Sequence, residues 1–310
     1  MRSAAQKEQQ QLMLLPFHSL LLLLLLASAN GLATIGGHAV TKRVARTRHP
    51  DGAIQSTLFA YSTNLGVKPD STALRHDVLA AQVWPASRAL ALEMGDILRE
   101  VEALYLDKAK PFRFCELGAG SGLAGLSAAA AANAAAPPEW DILVTDVDAL
   151  SPHLIKAAAK EQGLSDLVST GYVDLLSSPH EAPLPAADLY VMADVFVSEA
   201  VAAGAARRCA EALAAGGCVL VAAQEERSCR GQFLESLRAL LLGTTEEQQG
   251  PAGEETATAV LARTEGRDGR PATFEASREV RMALEVGWAP STRTWPLCLL
   301  DVDEEAVCFG

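Results

Sequence analysis

A glycine-rich segment with an acidic residue at its start is the part of the chain best suited to hold a small ligand. It reads Glu116-Leu117-Gly118-Ala119-Gly120-Ser121-Gly122 and ends a short apolar run that is typical of a β-strand. Glycines let the backbone turn sharply and let a ligand approach without a Cβ in the way. In open α/β sheets ligands bind at the carboxyl ends of strands, where this turn is predicted to lie.

Two classes of cofactor use such a turn, and the details of the motif separate them. A dinucleotide site requires G-x-G-x-x-G, but Leu123 stands where the third glycine belongs. The carboxylate of Glu116 suits the ammonium group of S-adenosylmethionine and suits a pyrophosphate poorly. The motif therefore favours S-adenosylmethionine as the cofactor. We expect it to contact Glu116, Gly118, Ala119 and Gly120.

A carboxylate at the tip of the next predicted strand supplies a second kind of contact. Asp146 directly follows the apolar run Asp141–Thr145. A carboxylate in this place can accept hydrogen bonds from both hydroxyl groups of a ribose. Asp148 is the alternative, but Asp146 is preferred because it lies nearer the end of the strand.

The elements that must position these residues alternate between strands and helices after residue 70. Strands are predicted at Phe112–Leu117, Asp141–Thr145, Val168–Val173, Asp188–Ala193 and Gly217–Ala222. Helices are predicted at Ser87–Leu104, Gly122–Ala136, Ser151–Gln162, Glu199–Ala215 and Arg230–Leu242. This alternation predicts parallel βαβ units in a doubly wound α/β sheet. A flexible polar loop is predicted near 243–254, and Thr256–Ala262 and Trp295–Val302 are predicted to close the sheet as an antiparallel pair.

The first seventy residues are interpreted as a leader and not as part of the fold. Residues 1–29 have a basic start, a leucine-rich run and a small-residue site at Ala27-Ser28-Ala29, as in a cleaved secretory signal. The run is short and interrupted by Pro16, which favours cleavage over a membrane anchor. Residues 30–70 are arginine-rich and acid-poor up to Asp51, which is typical of a transit peptide, with a disordered secretory linker as the alternative.

This leader predicts entry into the secretory pathway. The final compartment is then either a plastid, reached through a two-part leader, or a secreted or lumenal location. No stable membrane association is expected after the leader is cleaved, and residues 71–310 form the predicted catalytic domain.

Charge and metal-ligand spacing narrow the classes of partner. The chain carries a net charge of −12 although its first fifty residues are basic, so the body is strongly acidic. An acidic surface repels phosphate backbones, so no nucleic-acid partner is expected, and a basic protein or a small neutral molecule suits it better. Six cysteines form no CxxC pair and six histidines have no metal-ligand spacing, so no metal site is predicted.

Three further segments carry a resemblance to a known family. They are Gln82-Val83-Trp84-Pro85-Ala86, Ala193-Asp194 and Gln224-Glu225-Glu226-Arg227. Together with the glycine loop they resemble the seven-strand, non-SET lysine methyltransferase-like family over residues 80–240. The resemblance implies a Rossmann-like doubly wound seven-strand methyltransferase sheet, mostly parallel with an antiparallel end. It also implies methyl transfer from S-adenosylmethionine, with a protein as the expected partner.

The resemblance also assigns roles to residues outside the glycine loop. Trp84 would pack beside the cofactor, Leu175 occupies the place of the family's adenine-stacking tryptophan, and Ala193 would touch the adenine side. Asp194 is the candidate catalytic residue, because a carboxylate near the acceptor can orient an ammonium group.

Two departures from the family pattern bear on the substrate. Val197 stands where the family has an aromatic residue that shapes the amine pocket, with Phe196 in the adjacent position, and Leu175 lacks a stacking ring. Methylation of a protein lysine is the function expected. A small-molecule methyltransferase and a catalytically silent S-adenosylmethionine-binding module are the alternatives.

Overall fold

A computed structural model of the chain contains a seven-stranded central sheet and a separate three-stranded sheet. The structure describes residues 33–48, 54–64, 73, 79–105, 110–134, 140–224, 227–242, 280–282 and 297–302. The central strands are β4 (Phe112–Leu117), β5 (Trp140–Asp146), β6 (Val168–Tyr172), β7 (Leu189–Ala193), β8 (Cys218–Gln224), β9 (Val280–Met282) and β10 (Leu297–Val302). The helices are α1 (Pro85–Tyr105), α2 (Leu123–Ala134), α3 (Ser151–Glu161), α4 (Glu199–Ala214) and α5 (Arg230–Leu242).

The central sheet has the strand order β6-β5-β4-β7-β8-β10-β9, and every pair of neighbours is parallel. This confirms the predicted Rossmann-like doubly wound α/β fold, with five strands and five helices within two residues of their predicted bounds. The order reverses between β4 and β7, so the carboxyl ends of these strands flank a crevice.

The burial of strand β8 shows that the sheet is covered on both faces. Its side chains alternate between two buried clusters, with Leu220 and Ala222 on one face and Val219 and Val221 on the other. Helices α1, α2 and α3 cover the first face, and α4 and α5 cover the second. A continuous apolar run is what a parallel strand buried on both faces requires.

The end of the sheet differs from the prediction of an antiparallel pair. Strand β10 lies parallel to β8 and β9 lies parallel to β10. Parallel neighbours need a connection of about a dozen residues or more, and the chain between Gln224 at the end of β8 and Leu297 at the start of β10 is longer than that. The predicted strand Thr256–Ala262 and the predicted loop near 243–254 lie outside the described residues.

The three-stranded sheet corrects the interpretation of residues 30–70 as a linker without fold. Strands β1 (Ala33–Ile35), β2 (His38–Arg48) and β3 (Ile54–Thr63) pair antiparallel. Val40 and Ala60 are completely buried in the same cluster as α1, α2 and α3. An arginine-rich and acid-poor composition is compatible with a strand whose basic side chains point outward, so composition alone misidentified this region.

Two other observations complete the fold. Cys115, Cys209 and Cys218 are buried free thiols that pack as small core residues. Among the described residues, no helix is both long enough and apolar enough to cross a membrane. The signal-like residues 1–29 lie outside the described residues.

Candidate cofactor and acceptor site

The glycine loop leaves β4 at Leu117 and enters α2 at Leu123. Gly118 and Gly120 have φ angles of +66° and +54°, a backbone conformation that favours glycine. A Cβ on Gly118 would lie 2.8 Å from Val195 Cγ1, and one on Gly120 would lie 2.3 Å from the carbonyl oxygen of Ala80. Both the turn and the close approach of neighbouring segments therefore require glycine at these two positions.

Asp146 joins the loop to the end of β5. Its Oδ2 accepts a hydrogen bond from the Gly120 backbone N–H at 2.6 Å, and its Oδ1 accepts one from the Asp148 N–H at 2.7 Å. Burial raises the pKa of Asp146. The carboxylate of Asp148 instead accepts from the Leu150 N–H at 2.8 Å, in the turn that leads into α3. Of the two alternatives, Asp146 is thus the one in contact with the glycine loop.

Glu116 is placed differently from the expected contact with a ligand ammonium. Only 1% of the residue is exposed, and its Oε2 accepts a hydrogen bond from the Gly125 N–H at 2.7 Å. Burial raises its pKa to about 8 against the opposing effect of that bond. The carboxyl group stands behind the loop at the first turn of α2, and its contacts are those of a residue that shapes the loop.

The remaining residues assigned to the adenine side lie around Gly118. Leu175 Cδ1 would lie 3.7 Å from a Cβ on Gly118, so Leu175 and Val195 flank this glycine. Ala193 ends β7 and pairs with Ala222 of β8. The structure therefore brings Leu175 to the glycine loop and places Ala193 at the end of a strand that pairs with β4.

Trp84 lies on a segment that passes over the loop. The carbonyl of Ala80 is the atom that approaches Gly120, and the indole N–H of Trp84 donates to the Leu79 carbonyl at 3.0 Å. The guanidinium carbon of Arg227 lies 4.5 Å from the centroid of the Trp84 ring, a cation–π contact. Trp84 and the glycine loop are thus joined through the short segment between them.

Asp194 forms a buried corner at the end of β7. It has a φ of +54° and is the one non-glycine residue with positive φ in the parts of the chain that are described. Its Oδ2 accepts from the Ala86 N–H at the start of α1 at 3.0 Å, and its Oδ1 accepts from the Gln224 N–H at 3.3 Å. Only 2% of Asp194 is exposed.

These contacts hold the end of β7 against α1 and β8. The catalytic role of Asp194 stays a prediction. Arg227 adds a hydrogen bond from its Nη2 to the Asp194 carbonyl at 3.3 Å. Asp194 caps α1, whereas the following helix α4 is capped by Ser198, whose hydroxyl accepts from the Val201 N–H. The contacts of Asp194 are those of a residue that holds the site together.

Sequence reasoning missed several features of this edge. It did not detect the pairing of Asp194 with Ala86, because the two residues are 108 positions apart. It also did not single out Val147 and Leu176, which are exposed apolar side chains directly after Asp146 and Leu175. Their position next to predicted site residues was the available signal.

Phe196 does not take the place of the aromatic residue that the family has at the position of Val197. Phe196 is buried and packs on Phe233 of α5, with ring centroids 4.6 Å apart. Val197 is 47% exposed. Within the described residues, no cluster of three His, Cys, Asp or Glu side chains could hold a metal ion.

Solved structures to which the chain is similar at low identity include methyltransferases. The chain is 21% identical to the cyclase SpnF, with 55% of this chain and 72% of that chain covered and a TM-score of 0.33. It is 15% identical to the METTL16 methyltransferase domain (62% and 76% covered, TM-score 0.35). It is 17% identical to the N-terminal domain of human METTL16 in complex with SAH (50% and 61% covered, TM-score 0.29). No curated protein sequence matches the chain.

A family model gives the more specific comparison. Residues 71–239, more than half of the chain, match the model described as lysine methyltransferase. The matched range contains the Trp84 segment, the glycine loop, Asp146 and Asp194. The chain belongs to the lysine methyltransferase family and is an S-adenosylmethionine-dependent methyltransferase.

Proposed function

We propose that this enzyme transfers the methyl group of S-adenosylmethionine to a lysine side chain of a protein substrate. The observation that carries the proposal is the contact between the Trp84 segment and the glycine loop at one edge of the sheet. The segment that bears Trp84 passes over the glycine loop, with the Ala80 carbonyl against Gly120, and Asp194 holds the start of α1 directly behind that segment. A cofactor on the loop would therefore meet an acceptor that enters beside Trp84.

The glycine loop fits S-adenosylmethionine. The absent Cβ of Gly118 lets the apolar side chains of Leu175 and Val195 pack directly against the backbone of the loop. Asp146 places a carboxylate against the loop, where it would hold the ribose hydroxyl groups. Gly118, Ala119 and Gly120 would hold the methionine part, and Glu116 would act on it through the shape of the loop.

The chemistry requires alignment more than acid catalysis. S-adenosylmethionine supplies a methyl group that its sulfonium already activates. The protein has to align the acceptor nitrogen with the methyl–sulfur bond and to exclude water. Asp194 is buried and its carboxylate joins the start of α1 to the end of β8, so we assign this residue a positioning role. The acceptor ammonium must lose its proton to solvent before its nitrogen can take the methyl group, so the rate rises with pH toward the ordinary lysine pKa of about 10.4.

Charge and surface composition support a protein acceptor. The chain has a net charge of −12, which attracts a basic, lysine-containing segment. Leu79 and Val197 are exposed apolar side chains on the segments that carry Trp84 and Asp194. Apolar side chains exposed next to a reaction site are typical of a surface that contacts another protein.

One observation favours a small-molecule acceptor as the second candidate. Phe196 is buried against Phe233, and Val197 offers no ring, so an aromatic wall for an extended lysine side chain is missing at this place. A pocket without that wall suits a compact acceptor that reaches the methyl group by itself.

A transfer assay with tritiated methyl-S-adenosylmethionine and lysate from the source cells distinguishes these functions. We expect label in the protein fraction, recovered as methyl-lysine after acid hydrolysis. Label in the small-molecule fraction alone would overturn the lysine proposal in favour of the second candidate. Cofactor binding by calorimetry without any transfer would identify a silent binding module, and no binding at all would refute the cofactor site.

We also propose that residues 1–29 direct the chain into the secretory pathway and are removed there. The buried strand residue Val40 supports a mature chain that keeps the sheet β1–β3, because removal of residues 30–70 would uncover the core. Mass spectrometry of the mature N-terminus tests this, and a mature chain that begins after Thr63 would contradict it.

A further inference from the structure

The end of strand β3 is hydrogen-bonded to the segment that covers the cofactor loop. The Thr63 N–H donates to the Ala81 carbonyl at 3.0 Å. The amide of Gln82 makes the other contacts: its Nε2 donates to Thr63 Oγ1 at 2.9 Å, and its Oε1 accepts from Ser62 Oγ at 3.1 Å. Ser62, Thr63 and Ala81 are all buried. The side-chain amide of Gln82 is therefore fully engaged with the three-stranded sheet.

Gln82 lies between the two residues of its segment that meet the site. Two positions before it, the Ala80 carbonyl contacts Gly120. Two positions after it, the Trp84 ring stacks on Arg227, which in turn donates to the Asp194 carbonyl. The hydrogen bonds that hold Gln82 therefore fix both the contact of Ala80 with the glycine loop and the position of the Trp84 ring.

We propose that Gln82 is a positioning residue for the cofactor site, and that through it the N-terminal sheet forms part of that site. Its amide holds residues 79–84 against Ser62 and Thr63, so Ala80 and Trp84 are preorganised over the glycine loop before the cofactor binds. Preorganisation lowers the entropy lost on binding and so increases affinity. The inference rests on the cofactor site proposed above.

The same strand offers a matched control near its middle, at Phe59. The amide of Gln162, just after α3, donates to the Phe59 carbonyl at 2.8 Å and accepts from the Phe59 N–H at 2.9 Å. Gln162 thus attaches β3 to the domain through an equivalent pair of hydrogen bonds. It has no contact with residues 79–84 or with the glycine loop among its hydrogen bonds in the described residues.

The test compares Gln82→Leu and Gln162→Leu in the full chain. We expect both variants to lower the melting temperature, because each leaves buried backbone or hydroxyl groups unpaired. Only Gln82→Leu should raise the Kd for S-adenosylmethionine, by about tenfold. The KM for S-adenosylmethionine in the transfer assay should rise as well, with a smaller change in kcat. Calorimetric titration at a temperature where both variants are folded measures the Kd.

Three outcomes would overturn the inference. They are a Kd for Gln82→Leu within about twofold of the wild type, an equal rise for Gln162→Leu, and a loss confined to kcat. If Gln82→Leu does not fold, Ser62→Ala replaces it, because it removes only the bond to Gln82 Oε1 and should give a smaller rise in Kd; an unchanged Kd there refutes the role. A Gly120→Ala chain that binds normally would instead refute the cofactor site.

Discussion

The glycine loop and the Asp194 corner are both built around buried carboxylates, but they are assembled over different distances along the chain. In the loop, Glu116 bonds to a backbone N–H nine positions away and Asp146 to one 26 positions away. At the corner, Asp194 bonds to N–H groups 108 and 30 positions away. The loop is therefore formed by one βαβ unit, whereas the corner exists only once α1, β7 and β8 have packed together.

This difference indicates which property a substitution should change in each region. A change in the loop should affect cofactor binding directly, because the turn itself is the proposed binding surface. A change at the Asp194 corner should affect stability and acceptor alignment together. The same hydrogen bonds hold three elements together and position the segment beside which we propose that the acceptor enters. Three substitutions test the comparison.

The largest expected effect is that of Gly120→Ala on cofactor binding. Its Cβ would lie 2.3 Å from the Ala80 carbonyl, so the loop and the covering segment must separate. We expect the Kd for S-adenosylmethionine to rise by about a hundredfold, equivalent to about 2.7 kcal/mol. Gly163→Ala is the control, because Gly163 has a φ of +70° and nothing within 4 Å of the added Cβ. Equal effects of the two variants on Kd would mean that backbone strain, and not the clash over the loop, is responsible.

The second effect is that of Asp194→Ala on stability and transfer. It leaves the Ala86 and Gln224 N–H groups unpaired in a buried place, which should cost about 2–4 kcal/mol of unfolding free energy. We expect kcat to fall about tenfold, the equivalent of about 1.4 kcal/mol, with little change in the cofactor Kd.

Two comparisons sharpen the Asp194 result. Asp188→Ala removes a carboxylate that accepts from the Arg113 N–H at the other end of β7, and should destabilise the chain without lowering kcat. Asp194→Asn keeps one carbonyl oxygen and should retain the shape of the pH–rate profile. A profile whose shape changes in Asp194→Asn would identify Asp194 as a general base and contradict its assignment as a positioning residue.

The smallest effect is the pH dependence of stability that Glu116 contributes. Burial raises its pKa from 4.5 to about 8, so the folded chain retains a proton that the unfolded chain releases. The unfolding free energy therefore falls as the pH rises from about 4.5 to about 8. Glu116→Gln should remove this slope, so the variant should gain unfolding free energy relative to the wild type as the pH rises from about 5 to about 8.5.

Denaturant titrations at both pH values measure that gain. Glu161→Gln is the control, because the Lys42 ammonium and then the Tyr61 hydroxyl lower the pKa of Glu161. The stability that this ionised carboxylate contributes is lost only as the pH falls below its ordinary value, so its replacement should leave the slope above about pH 5 unchanged. Parallel wild-type and Glu116→Gln curves would contradict the burial of a protonated Glu116.

Sequence reasoning succeeded where a local pattern dictates local structure. The run Phe112–Leu117 was predicted with its observed bounds, and so was α5 at Arg230–Leu242, because apolar periodicity and flanking glycines act within a few residues. It failed for β2 and β3, because the basic residues that suggest a leader, such as Lys42 and Arg43, also suit the exposed positions of a strand. The buried Leu58 and Ala60 of β3 follow the period of two that could have identified it.

The sequence by itself determined the fold class, the cofactor and the place of the glycine loop, because an acid–glycine turn between a strand and a helix acts within one βαβ unit. Only the tertiary structure decided what the carboxylates do. Glu116 turned out to brace α2, and Asp194 to cap α1, because burial and distant backbone N–H groups select their partners. Only packing also revealed that Gln82 ties the N-terminal sheet to the site, since the bond to Thr63 joins segments with no common motif.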